Sequence, residues 1–148
     1  MSEIVEKFKS TFKELIEQKE IGIGELAKEL NTSRFVIHKW LTVAKDMRLS
    51  SLLKIADYFK CSIDYLCGRT DVYLGYMPKE LPPFSDRLKE VLAECNKSAY
   101  RLFKDTKIMP PQLHQWTYNT RPILNNLELI ANYLEVTIDY LIGRDRHN

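Results

Sequence analysis

Residues 21–41 read IGIGELAKELNTSRFVIHKWL, and this stretch predicts two short helices joined by a tight turn. Apolar residues recur at helical spacing before the turn (Ile23, Leu26, Ala27 and Leu30) and after it (Val36, Ile37, Trp40 and Leu41). Asn31 tolerates the left-handed backbone conformation that a tight turn between helices needs. Ser33 follows as a good N-cap, so the second helix of the pair is expected to run to about Thr42.

Helical spacing continues on both sides of this pair. A helix before it is marked by Val5, Phe8, Phe12, Leu15 and Ile16, and a helix after it by Leu49, Leu52, Leu53, Ile55, Ala56 and Phe59. Ser62 is placed to cap a short fifth helix, with Asp64 in its first turn. No run alternates as a strand with hairpin turns would, so we predict an all-α fold of five short helices.

The pattern occurs twice. Residues 55–69 read IADYFKCSIDYLCGR and residues 130–144 read IANYLEVTIDYLIGR, with nine of the fifteen pairs identical. Upstream the offset changes from 75 to 76, which aligns Phe8 with Phe84, His38 with His114 and Trp40 with Trp116. We therefore expect two tandem five-helix domains, residues 1–69 and 84–148.

Residues 70–83, TDVYLGYMPKELPP, are predicted to be a linker between the copies. Gly75, Pro78, Pro82 and Pro83 exclude a regular helix throughout this segment. Its apolar side chains are unusual for a linker, so part of it is expected to pack on a domain surface; they are Tyr73, Leu74, Tyr76 and Met77.

Composition excludes several classes of protein. The net charge is only +2, which is not typical of a strongly basic protein that coats nucleic acid without specificity. No apolar run approaches the roughly 20 residues of a membrane span, and the first twenty residues are too charged for a secretory signal, so we expect no membrane association and a cytoplasmic location. The three cysteines, Cys61, Cys67 and Cys95, lack zinc-site spacing, and we expect reduced thiols, no metal and no cofactor.

A compact bundle that contains two short helices and a tight turn can hold one helix in the major groove of DNA. Residues 21–41 together with LSSLLKIADYFKCSIDYLCGR at 49–69 resemble the Cro/CI-like, or XRE-type, helix-turn-helix family. The similar features are ELAKEL leading into NTSR, the Ile-x-x-Trp of the next helix, and the SIDYLxGR tail. The resemblance implies a lambda-repressor-like fold, binding to double-stranded DNA and regulation of transcription, usually repression by blocking polymerase.

The same resemblance implies that the start of the third helix contacts base edges. Carried over by position, it indicates Arg34, Phe35, His38 and Lys39, and the helical face agrees because Ile37, Trp40 and Leu41 must point to the core. Phosphate contacts are expected from the N–H groups near Ile23 and Gly24 and from Ser33, Lys45 and Arg48. The family often has glutamine where Ile23 stands, which leaves that contact to the backbone.

The second copy departs from the pattern at the informative positions. Lys107 replaces Asn31 at the turn, Phe103 replaces Ala27, and Met109-Pro110-Pro111 replaces Ser33-Arg34-Phe35. The fold tolerates proline in a first helical turn, but no side chain that can contact bases stands where Arg34 does. Residues 33–48 carry a net charge of +3, whereas 109–124 carry +1. Candidate DNA contacts in this copy are Gln112, Gln115 and Arg121.

Two arrangements would use two copies. Either one chain is a covalent pseudo-dimer on neighbouring turns of DNA, or the first domain binds DNA while the second mediates homodimerisation, which we favour.

A function of a different class also remains open, namely a protein-interaction adaptor or antagonist of another regulator. The exposed Phe35 would serve such a function. We do not expect an enzyme, because the sequence contains no glycine-rich phosphate loop, metal cluster or paired carboxylates in a shared helical frame. The sequence identifies no small-molecule effector.

Overall fold

The computed structural model describes residues 2–73, 75–76, 78–117 and 122–145. Within these ranges the chain forms ten helices and no strand, which confirms the predicted all-α class. It divides into two compact units, one comprising Met1–Met47 and Ser51–Pro78 and the other Arg48–Ser50 and Lys79–Asn148.

The first unit contains the five helices that the apolar spacing predicts. They are α1 (Glu3–Lys19), α2 (Ile23–Glu29), α3 (Arg34–Thr42), α4 (Leu49–Phe59), whose first two residues are grouped with the second unit, and α5 (Ile63–Leu66). Left-handed residues follow two of them, Glu20 after α1 with φ 55° and Lys60 after α4 with φ 56°. The Ser62 side chain caps α5 by accepting a hydrogen bond from the Tyr65 amide at 2.9 Å.

Aromatic side chains hold α1, α3 and α4 of this unit together. Phe8 and Phe12 are fully buried, and their ring centroids stack 5.5 Å apart. The Phe12 centroid lies 6.3 Å from that of Trp40 on α3 and 6.4 Å from that of Phe59 at the end of α4. Phe12 is therefore the residue at which α1, α3 and α4 meet. Offset and edge-on aromatic pairs of this kind add to the stabilisation that comes from the burial of apolar area.

The second unit repeats the arrangement with altered contacts. Its helices are α6 (Phe84–Glu94), α7 (Ala99–Asp105), α8 (Pro110–Gln115), α9 (Leu124–Leu134) and α10 (Ile138–Ile142). Phe84 and Trp116 lie at the positions of Phe8 and Trp40, and their ring centroids are 5.4 Å apart. The copies therefore share a phenylalanine–tryptophan core, although Trp40 contacts Phe12 and Trp116 contacts Phe84.

A buried arginine distinguishes the second unit. Arg87 on α6 is 1% exposed, and its guanidinium donates two hydrogen bonds, at 3.2 and 2.8 Å, to the Tyr140 carbonyl of α10. The same guanidinium pairs with Glu90 and lies 4.8 Å from the centroid of the Tyr140 ring. Thr11 occupies the corresponding position of the first copy, which therefore has no guanidinium to form this link.

The repeated Asp, Gly and Arg of the two tails form a structural unit that the helix-cap interpretation of Asp64 did not foresee. Asp64 accepts a hydrogen bond from Arg69 Nε at 2.8 Å, and Asp139 accepts one from Arg144 Nη1 at 3.0 Å. Gly68 and Gly143, with φ of 72° and 86°, turn the chain back so that each arginine reaches its aspartate. The Asp139 and Arg144 side chains are each only 2% exposed, so this pair is a buried ion pair.

Part of the predicted linker packs on the first unit. The Tyr73 hydroxyl donates a hydrogen bond to the Phe59 carbonyl, and the Tyr73 ring lies edge-on to Tyr65 with centroids 5.1 Å apart. The Tyr76 amide donates to the Lys60 carbonyl at 3.0 Å. The end of α4 and the segment after α5 are thereby tied together; Leu74 and Met77 lie outside the described residues.

No helix among the described residues is long and apolar enough to cross a membrane. In the same part of the chain, no three His, Cys, Asp or Glu side chains are grouped so that they could hold a metal ion. Cys61 and Cys67 are buried thiols of the first unit, and Cys95 is a half-buried thiol of the second.

We predict that Arg144→Met lowers the free energy of unfolding of the second unit by about 3–5 kcal/mol, because it leaves the Asp139 carboxylate buried without its cation. Urea unfolding followed by Trp116 fluorescence, in a chain that also carries Trp40→Phe, measures the change. Arg69→Met, read through Trp40 in a Trp116→Phe chain, is the matched control and should cost less because the Arg69 side chain is 21% exposed. Equal losses at the two positions would contradict the burial argument.

Candidate nucleic-acid interface

The turn between α2 and α3 has the geometry that its residues predict. Asn31 is left-handed with φ 54°, and the Thr32 amide donates to the Ala27 carbonyl at 2.8 Å. Ser33 caps α3, its side-chain oxygen accepting a hydrogen bond from the Val36 amide at 3.3 Å. Ala27 is 4% exposed, which leaves α2 and α3 close together at the turn. The start of α3 is thus fixed relative to α2.

The predicted base-contacting residues share the outer face of α3. Ile37 is fully buried and Trp40 is 8% exposed, which fixes the inner face of the helix. The opposite face is exposed throughout and consists of Arg34, Phe35, His38 and Lys39, which we call the α3 face. Leu41 was expected in the core but is only half-buried, because it lies at the edge between the two faces.

Phe35 is the most exposed large apolar side chain of the α3 face, with 75% of its surface accessible. A phenylalanine held at the start of a capped helix and pointing to solvent gains nothing from hydrophobic burial. Single exposed apolar residues are common on protein surfaces, so exposure alone assigns no role. Its position between Arg34 and His38 nevertheless gives the α3 face one apolar contact among its basic and polar groups.

The N-terminus of α2 lies beside the α3 face. The first backbone hydrogen bond of α2 runs from the Leu26 amide to the Gly22 carbonyl at 2.9 Å, so the amides of Ile23 and Gly24 have no acceptor within the helix. Ile23 and Gly24 are half-buried, and the Arg34 guanidinium packs directly against Gly24. The structure therefore brings together Ile23, Gly24, Ser33 and Arg34 from the predicted set.

The loop after α3 carries Lys45, one of the predicted phosphate-contacting residues, on the surface of the first unit. Lys45 is exposed between two left-handed residues, Ala44 with φ 49° and Asp46 with φ 54°. The end of α3 is held from the first helix, because Lys9 Nζ donates to the Thr42 carbonyl at 3.0 Å. Arg48 is exposed directly before α4 but is grouped with the second unit, so the structure does not assign it to the α3 face.

The corresponding surface of the second unit has a different chemistry. Met109, at the N-cap position of α8, is 58% exposed, and its side chain has no oxygen with which to cap the helix. The Gln112 side chain supplies a cap instead, its Oε1 accepting a hydrogen bond from the Met109 amide at 2.7 Å. Gln115 is exposed, and Arg121 lies outside the described residues. Of the candidate contacts in this copy, Gln112 is therefore already engaged within the helix start.

Basic residues of the second unit that the sequence comparison missed lie on and around α7. Segment 97–107 carries four exposed basic side chains against Asp105, a net +3; they are Lys97, Arg101, Lys104 and Lys107. The matching segment 21–31 carries Lys28 against two glutamates, a net −1. This difference in charge between α2 and α7 is present in the sequence, but it lies outside residues 33–48 and 109–124.

The pKa of Asp105, the acidic residue at the end of α7, is shifted by its neighbours. The Tyr133 hydroxyl donates to Asp105 Oδ2 at 2.6 Å, and this hydrogen bond lowers the pKa of the Asp105 carboxyl and raises the pKa of the Tyr133 hydroxyl. Arg101 Nη2 also lies 3.2 Å from Asp105 Oδ2, and Lys97 Nζ lies 5.0 Å from the centroid of the Tyr133 ring. The charge of Lys104 also lowers the pKa of the Asp105 carboxyl, whereas Lys107 lies exposed in the turn after α7.

Comparison with known proteins gives one family. The family model for the Cro/C1-type helix-turn-helix DNA-binding domain matches the chain twice, over residues 11–71 and 87–145. No curated protein matches the chain, and no solved structure does. The two matched regions contain the α2–α3 and the α7–α8 helix pairs.

We predict that Ser33→Ala lowers the free energy of unfolding of the first unit by about 1 kcal/mol, because the Val36 amide loses its cap. Ser33→Gly should lower the free energy of unfolding by only a few tenths of a kcal/mol, since glycine leaves the amides at the helix start open to water. Trp40 fluorescence during urea unfolding, in a chain carrying Trp116→Phe, measures both variants. Ser98→Ala removes the equivalent cap of α7, to the Arg101 amide, and should leave the Trp40 transition unmoved. A Ser33→Ala protein as stable as the wild type would show that the cap contributes nothing.

Proposed function

This chain belongs to the Cro/C1-type helix-turn-helix DNA-binding domain family, and on that basis we propose that it is a sequence-specific transcriptional regulator, acting as a repressor. Two copies of the domain imply a DNA-binding protein. In our proposal the first domain inserts α3 into the major groove and the second domain assists binding. The observation that carries the proposal is the α3 face: four exposed side chains able to contact bases, on a helix fixed by Ile37, Trp40 and its Ser33 cap.

The chemistry of the α3 face suits base edges. A guanidinium can donate two hydrogen bonds to guanine O6 and N7, and such a pair contributes about 1–3 kcal/mol of discrimination against the wrong base. Arg34 is assigned this role, and Phe35 an apolar contact with a thymine methyl group. His38 and Lys39 lie one turn further along the helix and are assigned to the neighbouring base pairs.

Phosphate contacts position the domain without specifying sequence. We assign them to the Ile23 and Gly24 amides, the Ser33 hydroxyl and the side chains of Lys45 and Arg48. The Ile23 and Gly24 amides, which have no acceptor within α2, and the exposed Lys45 support the assignment. Such contacts release counterions from DNA, so affinity falls steeply as salt rises.

For the second domain we propose a phosphate-contacting role rather than base contact. The support is the net +3 of segment 97–107, with Lys104 and Lys107 exposed at the end of α7 and in the turn after it. The prolines at 110 and 111 and the internal engagement of Gln112 argue against a second base-contacting helix. Homodimerisation through this domain is the alternative, and exposed Tyr100 and Met109, at 68% and 58%, support it.

An adaptor that binds another regulator is the second candidate function, and the 75% exposure of Phe35 favours it equally. The two functions differ in their dependence on salt. A regulator that contacts phosphates binds duplex DNA at low salt, and the logarithm of its binding constant falls linearly with the logarithm of the salt concentration. A chain that binds no duplex at low salt would refute the regulator and favour the adaptor.

We predict that Arg34→Ala lowers affinity about 5- to 150-fold for a duplex selected from a random pool by the full chain, and leaves affinity for unselected duplex nearly unchanged. Lys45→Ala is the contrasting variant: it should weaken binding to both duplexes alike and reduce the salt slope by about 1. Fluorescence anisotropy at several salt concentrations measures both variants. If Arg34→Ala weakened the two duplexes equally, Arg34 would not contact a base.

A separate prediction concerns the second domain. Lys104→Ala combined with Lys107→Ala should weaken binding to every duplex and reduce the salt slope by about 2, because two phosphate contacts are lost. Lys79→Ala combined with Lys89→Ala removes the same charge from exposed sites outside segment 97–107 and serves as the control. If both double variants behave like the wild type while the chain sediments as a dimer, the second domain acts by dimerising instead.

A further inference from the structure

We propose that Gly24 is a specificity-determining positioning residue: by lacking a side chain, it sets where the Arg34 guanidinium rests and thus which base Arg34 contacts. The proposal rests on the proposed function of Arg34 as a base-contacting residue. The positioning of Arg34 is a second role for Gly24, in addition to the phosphate contact proposed for its amide.

The geometry is a close packing of one planar group on one glycine. A Cβ atom in ideal position on Gly24 would lie 2.5 Å from Nη2, 2.7 Å from Nε and 2.9 Å from Cζ of Arg34. Cβ atoms essentially never come within 3.0 Å of another residue, so any side chain at position 24 displaces the guanidinium. Because all three atoms belong to the same guanidinium, this group occupies the space that a side chain would fill.

The backbone of α2 gives no other reason for glycine at position 24. The residue lies in the first turn of the helix, and its φ is not in the left-handed region that favours glycine. Glycine within a helix is less favourable than alanine, because it loses more conformational freedom on folding. The space that Gly24 leaves for Arg34 is the feature of this position that an alanine would remove.

The second copy changes both positions together. Tyr100 stands where the first copy has Gly24, and Pro110 stands where it has Arg34. Tyr100 is 68% exposed, and no guanidinium competes for its space. The copy that lacks the arginine therefore also lacks the glycine, as expected if the glycine serves the arginine.

Packing on Gly24 restricts a long, flexible side chain before DNA arrives. An arginine in solution samples many rotamers, and ordering it on binding costs affinity. A guanidinium that already packs against α2 has one preferred position relative to the start of α3. A methyl group at position 24 would displace the guanidinium, which changes the base pair that it can reach and leaves its charge unchanged.

The test compares full-length variants in their base preference. Gly24→Ala should fold normally, because the displaced atoms are the end of a flexible side chain and alanine suits a helix. Gly22→Ala, where a Cβ meets nothing within 4 Å, is the matched control at the start of the same helix. Selection of duplexes from a random pool gives the base preference at every position, and Trp40 fluorescence during urea unfolding reports the folding of each variant.

We expect Gly24→Ala to reduce discrimination on the order of tenfold at the base pair that Arg34→Ala affects, with other positions unchanged. In a chain that carries Arg34→Ala, adding Gly24→Ala should have no further effect. In the free protein, the Arg34 Nε–H resonance should shift in Gly24→Ala and stay in place in Gly22→Ala. Together these outcomes support the assignment, because a merely structural role would not select one base pair.

Three results would overturn the proposal, and they separate it from the proposed function. An unchanged base preference in Gly24→Ala, with a clear effect of Arg34→Ala, refutes the role of Gly24 alone. A loss that adds to that of Arg34→Ala shows that Gly24 acts through another group. An Arg34→Ala variant with the wild-type base preference refutes the base contact itself, and the role of Gly24 falls with it.

Discussion

The interface depends on the burial of one side of a nine-residue helix. Ile37 and Trp40 occupy the core, and Trp40 is held by Phe12, which also contacts Phe59. Once these two side chains are buried, the helical period leaves positions 34, 35, 38 and 39 on the opposite side. The core and the proposed DNA-binding surface are therefore two faces of the same helix, and changes to the packing of Trp40 would alter the orientation of the α3 face.

The two copies show which parts of the domain are constrained by folding and which are free to change. The phenylalanine–tryptophan core and the Asp–Gly–Arg tail persist in both, and the ion pair of the tail is fully buried only in the second unit. The surfaces have diverged: the first unit carries its arginine at the start of α3, and the second carries its basic residues on and after α7. This divergence agrees with the proposal that the first domain contacts bases and the second contacts phosphates.

Much of the fold could be predicted from the sequence because its determinants are local. Helical periodicity located the helices, and the chemistry of Asn31 and Ser33 predicted a left-handed turn and a cap. The outward direction of the α3 face followed from the same periodicity. Boundaries of the domains were expected at residues 69 and 84, and they stay a prediction.

What could not be predicted depends on where separate segments meet. Asp139 and Arg144 are five residues apart, a spacing that does not face on a straight helix, and only the left-handed turn at Gly143 brings them together. The packing of Arg34 on Gly24 likewise depends on the angle between α2 and α3, which no periodicity specifies. The basic residues around α7, by contrast, can be found from the sequence alone, because segment 97–107 carries a net charge of +3 and the aligned segment 21–31 carries −1.

Photo-crosslinking tests most directly whether α3 of the first domain, and not its counterpart, lies against the bases. The full chain carries benzoylphenylalanine in place of Phe35 or, in a second protein, of Pro111, and each is irradiated on a duplex selected by the wild type. The account predicts crosslinks from position 35 to bases of the selected site and none to bases from position 111. Base crosslinks from position 111, or their absence from position 35, would contradict it.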